Sequence, residues 1–425
     1  MKVIVEGSFD PTRSKTVKVE EFYVPNETSE LTIRFDYAPK SSAKVENHLD
    51  LLIYDSMNRF MGRFDSSFTE IRVGSSPSRG ARKVLPLPGS WKAVLEAHGI
   101  FGKVNYRIEI ETEGSEKYSW KVGELHSHSI HSDGVFKVSE LADYFKELGF
   151  DFFFLTDHSN ISGWEELKDI KGIAAFPGQE INTLHGHMLV LGCRNFVDWK
   201  DESMEGMEPS EIRRFVRFGE GIIGVAHPFI MGDPLCFSCE WKYTPNPFEL
   251  DFVEVWTYLL RMYEFVNERL IYEWIKYLRS GRKVTGTVGG DFHRAEEDYL
   301  YALRTVVGVR ELTLDEVLYA IKFGKVYLSR GGRIDFEISG HTLGDLIEHD
   351  GEDKLMLKIG INDITENYEV FLLMRNDTIS FGRNQKEIEH EIVSPTDEDF
   401  ALVWVKDEKN QTLILTNPIY LRRIR

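Results

Sequence analysis

Phe152-Phe-Phe-Leu155-Thr-Asp157-His158 sets a short, wholly apolar run directly before an acid and an imidazole. A run this brief and this apolar suits a strand buried on both faces of a sheet. Just upstream, residues 139–148 place Leu141, Tyr144, Phe145 and Leu148 on one helical face, and Gly149 follows as a stop. The alternation continues downstream. Residues 211–218 read as helix, 222–226 and 252–256 as strands, and 262–278 as the longest helix. Residues 284–288 and 305–309 return as strands, 313–323 as the last helix and 325–328 as the last strand. Repeated strand–helix alternation across 120–330 predicts an α/β domain with a parallel sheet, closed or nearly closed into a barrel.

The flanks read differently. Residues 1–119 hold short alternating runs such as Val17-Lys-Val-Glu-Glu-Phe22 and Tyr106-Arg-Ile-Glu-Ile-Glu111, separated by turn residues, which predicts a β-sandwich. Residues 331–425 repeat that pattern, for example in Phe400-Ala-Leu-Val-Trp-Val405, and predict a second sandwich. The chain has 425 residues, within the range of two to four domains at roughly 100–200 residues each. Its formal net charge of −18 disfavours a nucleic-acid polymer as partner. No apolar run is long enough to span a bilayer, and no signal peptide is visible, so no membrane partner and a cytoplasmic location are expected. The cysteines are Cys193, Cys236 and Cys239, too few for a disulfide scaffold. The single Cys236-Phe-Ser-Cys239 motif reads as loop packing, with a redox or metal role as the alternative.

Histidine placement carries the functional signal. His126 and His128, two apart on an extended segment, face the same way and can share a metal. Asp157-His158, His227-Pro228 and Asp291-Phe-His293 each follow an apolar strand-like run. In a parallel barrel those strand ends converge on one rim, where sites form. Glu180 is a candidate bridging carboxylate, because its two oxygens can serve two metals. His187 precedes a strand and is preferred over His185 as a ligand. Asp133 is a candidate ligand or a turn residue, and His131 competes with it. Trp241, near Tyr243, is a candidate cleft residue.

These motifs resemble, in order, those of the PHP (polymerase and histidinol phosphatase) superfamily: Glu124-Leu-His-Ser-His128, His131-Ser-Asp-Gly134, Leu155-Thr-Asp-His158, Gly178-Gln-Glu180, Gly186-His187, Ala226-His-Pro228 and Gly290-Asp-Phe-His293. The His-Ser-Asp-Gly wording and the β-rich flanks are most similar to the CehA/McbA-type metallohydrolases. Glu124 stands where that family usually has Asp, a change expected to act behind the ligands. The resemblance implies a distorted (βα)7 barrel with two to three divalent metal ions (Zn, Mn or Fe). It implies one metal on His126, His128, Glu180 and Asp291, and a second on Glu180, His187 and His227. A third would take Asp133 (or His131), His158 and His293. Asp157 would orient its neighbours.

The expected activity is hydrolysis of small phosphate mono- or diesters by a metal-bridging hydroxide, with Glu180, Asp291 and His227 as the catalytic set. Three divalent ions against Glu180, Asp133, Asp291 and one hydroxide leave a residual charge of about +2, suited to a phosphate dianion. Arg294 and Arg304 are candidate phosphate clamps, against the reading of each as a solvated or salt-bridged arginine. A metal-dependent carboxyl or carbamate ester hydrolase and a non-catalytic, metal-stabilised binding protein are the alternatives. The flanking β domains would restrict access, hold a larger substrate or make homo-oligomer contacts.

Overall fold

Buried and exposed side chains alternate along nearly every N-terminal strand, as in 89–99, where Trp91, Ala93, Leu95 and Ala97 all point into a core. The computed structural model describes the chain apart from residues 65–68, 115–116, 205, 231, 235, 244–248, 259–263, 297–298, 300–301, 352–353, 396 and 425. It divides into two units, Met1–Tyr118 and Ser119–Arg425. The described strands of the first are β1 (Lys2–Phe9), β2 (Thr16–Val24), β3 (Glu30–Ala38), β4 (Ser41–Ser42), β5 (Val45–Glu46), β6 (His48–Tyr54), β7 (Phe60–Phe64), β8 (Glu70–Val73), β9 (Gly89–Gly99) and β10 (Val104–Glu113). Two antiparallel sheets, β1-β10-β3-β8 and β2-β9-β6-β7, enclose one apolar core that includes Phe22, Ile33, Leu51, Trp91 and Ile108. That is a β-sandwich in the physical sense: alternate residues of both sheets share one dry interior.

The second unit opens with β11 (Ser119–Ser127), β12 (Phe152–Leu155), β13 (Ala174–Thr183), β14 (Gly186–Leu191), β15 (Ile222–Val225), β16 (Phe252–Thr257), β17 (Thr285–Gly289), β18 (Arg304–Val309) and β19 (Val326–Ser329). Its helices are α1 (Val138–Glu147), α2 (Trp164–Leu167), α3 (Pro209–Phe218), α4 (Glu264–Arg279) and α5 (Leu314–Phe323). The part of the predicted longest helix at 262–263 lies outside the described residues. The strands pair in the order β17-β16-β15-β14-β13-β12-β11-β18-β19. β11, β12 and β13 are parallel, as are β15, β16 and β17, and the Phe152–Phe154 rings are buried between them.

The expected uninterrupted parallel sheet is not what forms. β14 runs antiparallel to both neighbours, because a tight turn at Leu184 and His185 sends the chain straight back into a hairpin with β13, Thr183 pairing with Gly186. α2 is a single turn, so the helix count falls short of a repeating βα unit. The result is a mixed α/β sheet, rich in strands and poor in helices, and a (βα)7 barrel is not shown. Beyond β17 the chain does return to the end of β11, an interior strand of that order. The His128 N–H donates to the Phe292 carbonyl at 2.9 Å, and the Phe292 N–H donates to the His126 carbonyl at 3.0 Å.

The C-terminal strands are β20 (Arg333–Ile338), β21 (Leu346–His349), β22 (Lys354–Asn362), β23 (Tyr368–Met374), β24 (Thr378–Arg383), β25 (Glu387–Val393), β26 (Asp399–Asp407), β27 (Thr412–Thr416) and β28 (Ile419–Arg423). They do not stand apart from the α/β sheet. β19 pairs with β27, and Val306 and Tyr327 share one apolar core with Ile334, Leu357, Val370 and Val403. Asn417 ties the two layers: its amide nitrogen donates to the Gly286 and Val326 carbonyls, and its carbonyl accepts from the Gly286 N–H. Among the described residues no helix is long and apolar enough to cross a membrane.

Candidate metal centre

Each strand delivers its side chain for a local reason. His126 lies on β11 and His128 just past it, and both are fully buried. The β12 ladder continues past its end, where the His158–Glu180 bridge and the Ser159 N–H to Glu180 carbonyl bond (2.7 Å) set His158 beside β13. His187 begins β14. Because that strand is antiparallel, its first residues lie at the same rim as the last residues of its neighbours. His227 and Asp291 follow β15 and β17 at φ of 30° and 48°. Such left-handed backbone at non-glycine residues costs on the order of 1–3 kcal/mol and is characteristic of functional sites.

Glu180 is the hub. Its Oε2 lies 2.7 Å from His158 Nδ1, 3.3 Å from His126 Nε2 and 3.5 Å from His128 Nε2. Its Oε1 lies 3.0 Å from His187 Nδ1 and 3.5 Å from His227 Nε2. Asp291 faces the same rings, at 3.1 Å from His128 Nε2, 3.3 Å from His126 Nε2 and 3.7 Å from His227 Nε2. Asp133 Oδ1 lies 3.2 Å from His158 Nε2 and 3.1 Å from His293 Nε2. Potential ligand atoms fall into three neighbouring sets: His126, His128, Glu180 and Asp291; His187, His227 and Cys239; and His128, Asp133, His158 and His293. The first two sets are buried, whereas the Asp133 side chain is 60% exposed, so the third set forms the open side.

The remaining sequence candidates lie elsewhere or act indirectly. His131 is turned away, with Nδ1 at 2.8 Å from Ser162 Oγ and Nε2 at 2.7 Å from Glu166. His185 stacks edge-on against Tyr243. Asp157 accepts from the Ser129 N–H and from the hydroxyls of Ser129 and Ser132, fixing the loop that carries Asp133. Arg294 is exposed. Arg304 donates to the Leu148 carbonyl at 2.9 Å and lies over the Phe150 ring, a packing role in place of the expected phosphate clamp. Cys236 and Cys239, read as loop packing, form a disulfide.

Glu254 was not singled out from the sequence, although it is the lone charge in the apolar run Phe252-Val-Glu-Val-Trp256. It is fully buried, with Oε1 at 3.1 Å from His126 Nδ1 and Oε2 accepting the His227 N–H at 2.8 Å. A carboxylate at Nδ1 holds the proton there and leaves His126 Nε2 as a lone pair aimed at Glu180 and Asp291. Glu254→Gln leaves one oxygen for two N–H donors. Its metal affinity is expected to fall about 10–100-fold in a chelator competition, and unchanged affinity would remove the orienting role. Glu124 accepts the His126 and Gly290 N–H groups and the Tyr299 hydroxyl, and burial pushes its carboxyl up to about 7. Asn182, between His158 and His187, was also missed. In the N-terminal unit His48, Asp50 and His98 form a further grouping, in which Arg63 pairs with Asp50.

The buried carboxylates and imidazoles set one another's charge. Burial alone would raise Glu180 and Asp291, but the imidazoles around them, His126 foremost, hold both carboxyls well below their ordinary range. Burial pushes His128 down to about 4. It also opposes charge on His158, but Glu180 and Asp133 outweigh it and lift that ring to about 9. His126 and His227 are raised in the same way by the surrounding carboxylates. Protons therefore sit where cations would. Metal–imidazole bonds need the neutral ring, so binding strengthens as pH rises and weakens in acid. Zinc uptake at neutral pH should release protons, read as a calorimetric enthalpy that varies with the buffer's ionisation enthalpy; uptake with no proton release would contradict this.

No protein-family model matches the chain, and no curated protein matches it. Among solved structures, it is similar to a two-domain protein from Bacteroides vulgatus containing a predicted PHP-like metal-dependent phosphoesterase, at 16% identity over 71% of this chain and 96% of that one, with a TM-score of 0.40. An inferred metal-dependent phosphoesterase from Bifidobacterium adolescentis matches at 16% identity over 40% of this chain and 87% of that one, TM-score 0.31. An amidohydrolase from Chromobacterium violaceum matches at 15% identity over 41% and 89%, TM-score 0.29. These likenesses are slight, and the functional reading stands on the cluster itself.

Proposed function

We propose that this chain is a metal-dependent phosphoesterase of PHP type, acting on small phosphate esters. One observation carries the reading. The fully buried Glu180 carboxylate is surrounded by imidazole nitrogens, with His158 Nδ1, His126 Nε2 and His128 Nε2 at 2.7, 3.3 and 3.5 Å from Oε2 and His187 Nδ1 and His227 Nε2 at 3.0 and 3.5 Å from Oε1. Burying a carboxylate is strongly unfavourable unless positive charge meets it, and neutral rings gathered around one supply that charge by binding a cation. Neutral imidazoles and carboxylates are the donor set that zinc, manganese and iron accept.

Glu180 would serve two ions, one per oxygen, because His126 and His128 lie on its Oε2 side and His187 and His227 on its Oε1 side. Asp291 would complete the first set, and Asp133, His158 and His293 would form the outer one. Divalent ions held there supply Lewis-acid stabilisation and an activated water near neutral pH. Glu254 fixes the His126 tautomer, and Asp157 fixes the loop that bears Asp133. Glu254 also adds one negative charge to the residual of about +2 expected from sequence, leaving about +1, which still favours an anionic ester. The exposed side at Asp133 is where such an ester would meet the cluster.

The test is metal analysis of the purified chain with a hydrolysis screen. Chelator-sensitive release of phosphate from p-nitrophenyl phosphate or its diester supports the reading. Metal-loaded protein that hydrolyses p-nitrophenyl acetate but no phosphate ester would replace it with a carboxyl ester hydrolase.

A further inference from the structure

We infer that Cys239 is a redox-gated ligand: when the Cys236–Cys239 disulfide is reduced, its sulfur joins His187 and His227 around one cation, and re-formation of the disulfide withdraws it. This rests on the proposal that His187 and His227 hold a metal. Cys239 is 1% exposed, and its Sγ lies 4.0 Å from His187 Nδ1. The candidate ligand atoms of His187, His227 and Cys239 all lie within 4.8 Å of one another. The loop that carries the cysteine is pinned to the same rim. The Lys242 N–H donates to the His185 carbonyl at 2.8 Å, and the Trp241 N–H donates to the Pro228 carbonyl at 3.4 Å. Trp241 packs so closely on Gly186 that a Cβ there would come within 2.7 Å of its ring.

The chemistry follows from ligand number. His187, His227 and one Glu180 oxygen make three donors, the number that leaves a fourth position on zinc for water. A thiolate in that position closes the set and binds more tightly, as in structural zinc sites. A dithiol reductant would supply two electrons and two protons: the S–S bond breaks, each sulfur takes a proton, and the reductant becomes a disulfide. Cys239 then loses its proton to solvent as the sulfur–metal bond forms. Reduction therefore converts an open position into a closed one, and oxidation reopens it.

Cobalt(II) reports this directly, because thiolate ligation adds a near-ultraviolet charge-transfer band to its visible spectrum. The full chain is stripped with chelator, loaded with cobalt and treated with a phosphine, which is oxidised to phosphine oxide with water supplying the oxygen and the protons. The band should appear on reduction, and cobalt affinity should rise by at least about tenfold. Cys239→Ser should show neither change. Cys236→Ser should show the band without reductant, and it decides the matter if Cys239→Ser fails to fold. Cys193 serves as a control, since its buried thiol is pushed up to about 12 and it lies against the Val216 carbonyl. Visible cobalt absorption with no charge-transfer band in the reduced chain overturns this inference but leaves the metal centre standing. No cobalt absorption in either form overturns both.

Discussion

Glu180→Gln will leave the chain unable to retain its metals and will lower phosphate-ester hydrolysis by on the order of 10³-fold or more, the scale at which several kcal/mol of charge stabilisation is lost. The substitution keeps the shape of the side chain, so packing around β13 is preserved. It removes the negative charge that faces His126, His128, His158, His187 and His227. It also places an amide N–H₂ against ring nitrogens whose lone pairs a cation needs. Metal content by plasma mass spectrometry and turnover of p-nitrophenyl phosphate are the readouts, with circular dichroism to verify the fold. A variant that keeps full metal content would show that Glu180 is not the bridge.

Gly289→Ala should damage the same site without touching a ligand. A Cβ at this position would collide with Glu254 Oε1 and lie 2.8 Å from the His126 Cβ. β16 and β17 are paired there, so neither backbone can yield cheaply. Glu254 must swing away, and with it goes the hydrogen bond that aims His126. Overpacking of this kind destabilises by about 1–3 kcal/mol. The larger effect expected is on metal affinity, at least the 10–100-fold loss of an orienting partner. Thermal melting with and without zinc separates the two: the metal-free melting point should fall by a few degrees, and most of the zinc-dependent rise should vanish. A normal zinc-dependent rise would mean that Glu254 can be displaced without consequence.

Much of this arrangement was legible in the sequence because it is carried by local order. The runs at 152–155, 222–225 and 285–289 form strands, and the acid or imidazole that follows each one falls at a common rim. What stayed hidden depends on long-range pairing. The hairpin of β13 and β14 reverses one strand, and no local period distinguishes that from a parallel neighbour. Nothing local to Phe252-Val-Glu-Val-Trp256 marks Glu254, because its partner His126 lies on β11 and reaches it only through long-range pairing. Arg304, 11 residues beyond His293, was a reasonable phosphate contact by position, but β18 runs back along β11 and leaves its guanidinium at Leu148 and Phe150. The continuity of β19 with β27 likewise could not be read from composition, which shows only that both flanks are strand-rich.

The proposed centre places imidazoles and carboxylates from separate strand ends around divalent cations. Anomalous diffraction from crystals grown without chelator, collected on either side of the zinc, iron and manganese edges, tests it most directly. Strong peaks are expected within bonding distance of Glu180, one toward His126, His128 and Asp291 and another toward His187 and His227. Clean maps, with Glu180 satisfied by protonated imidazoles or water after growth in excess zinc, would contradict it.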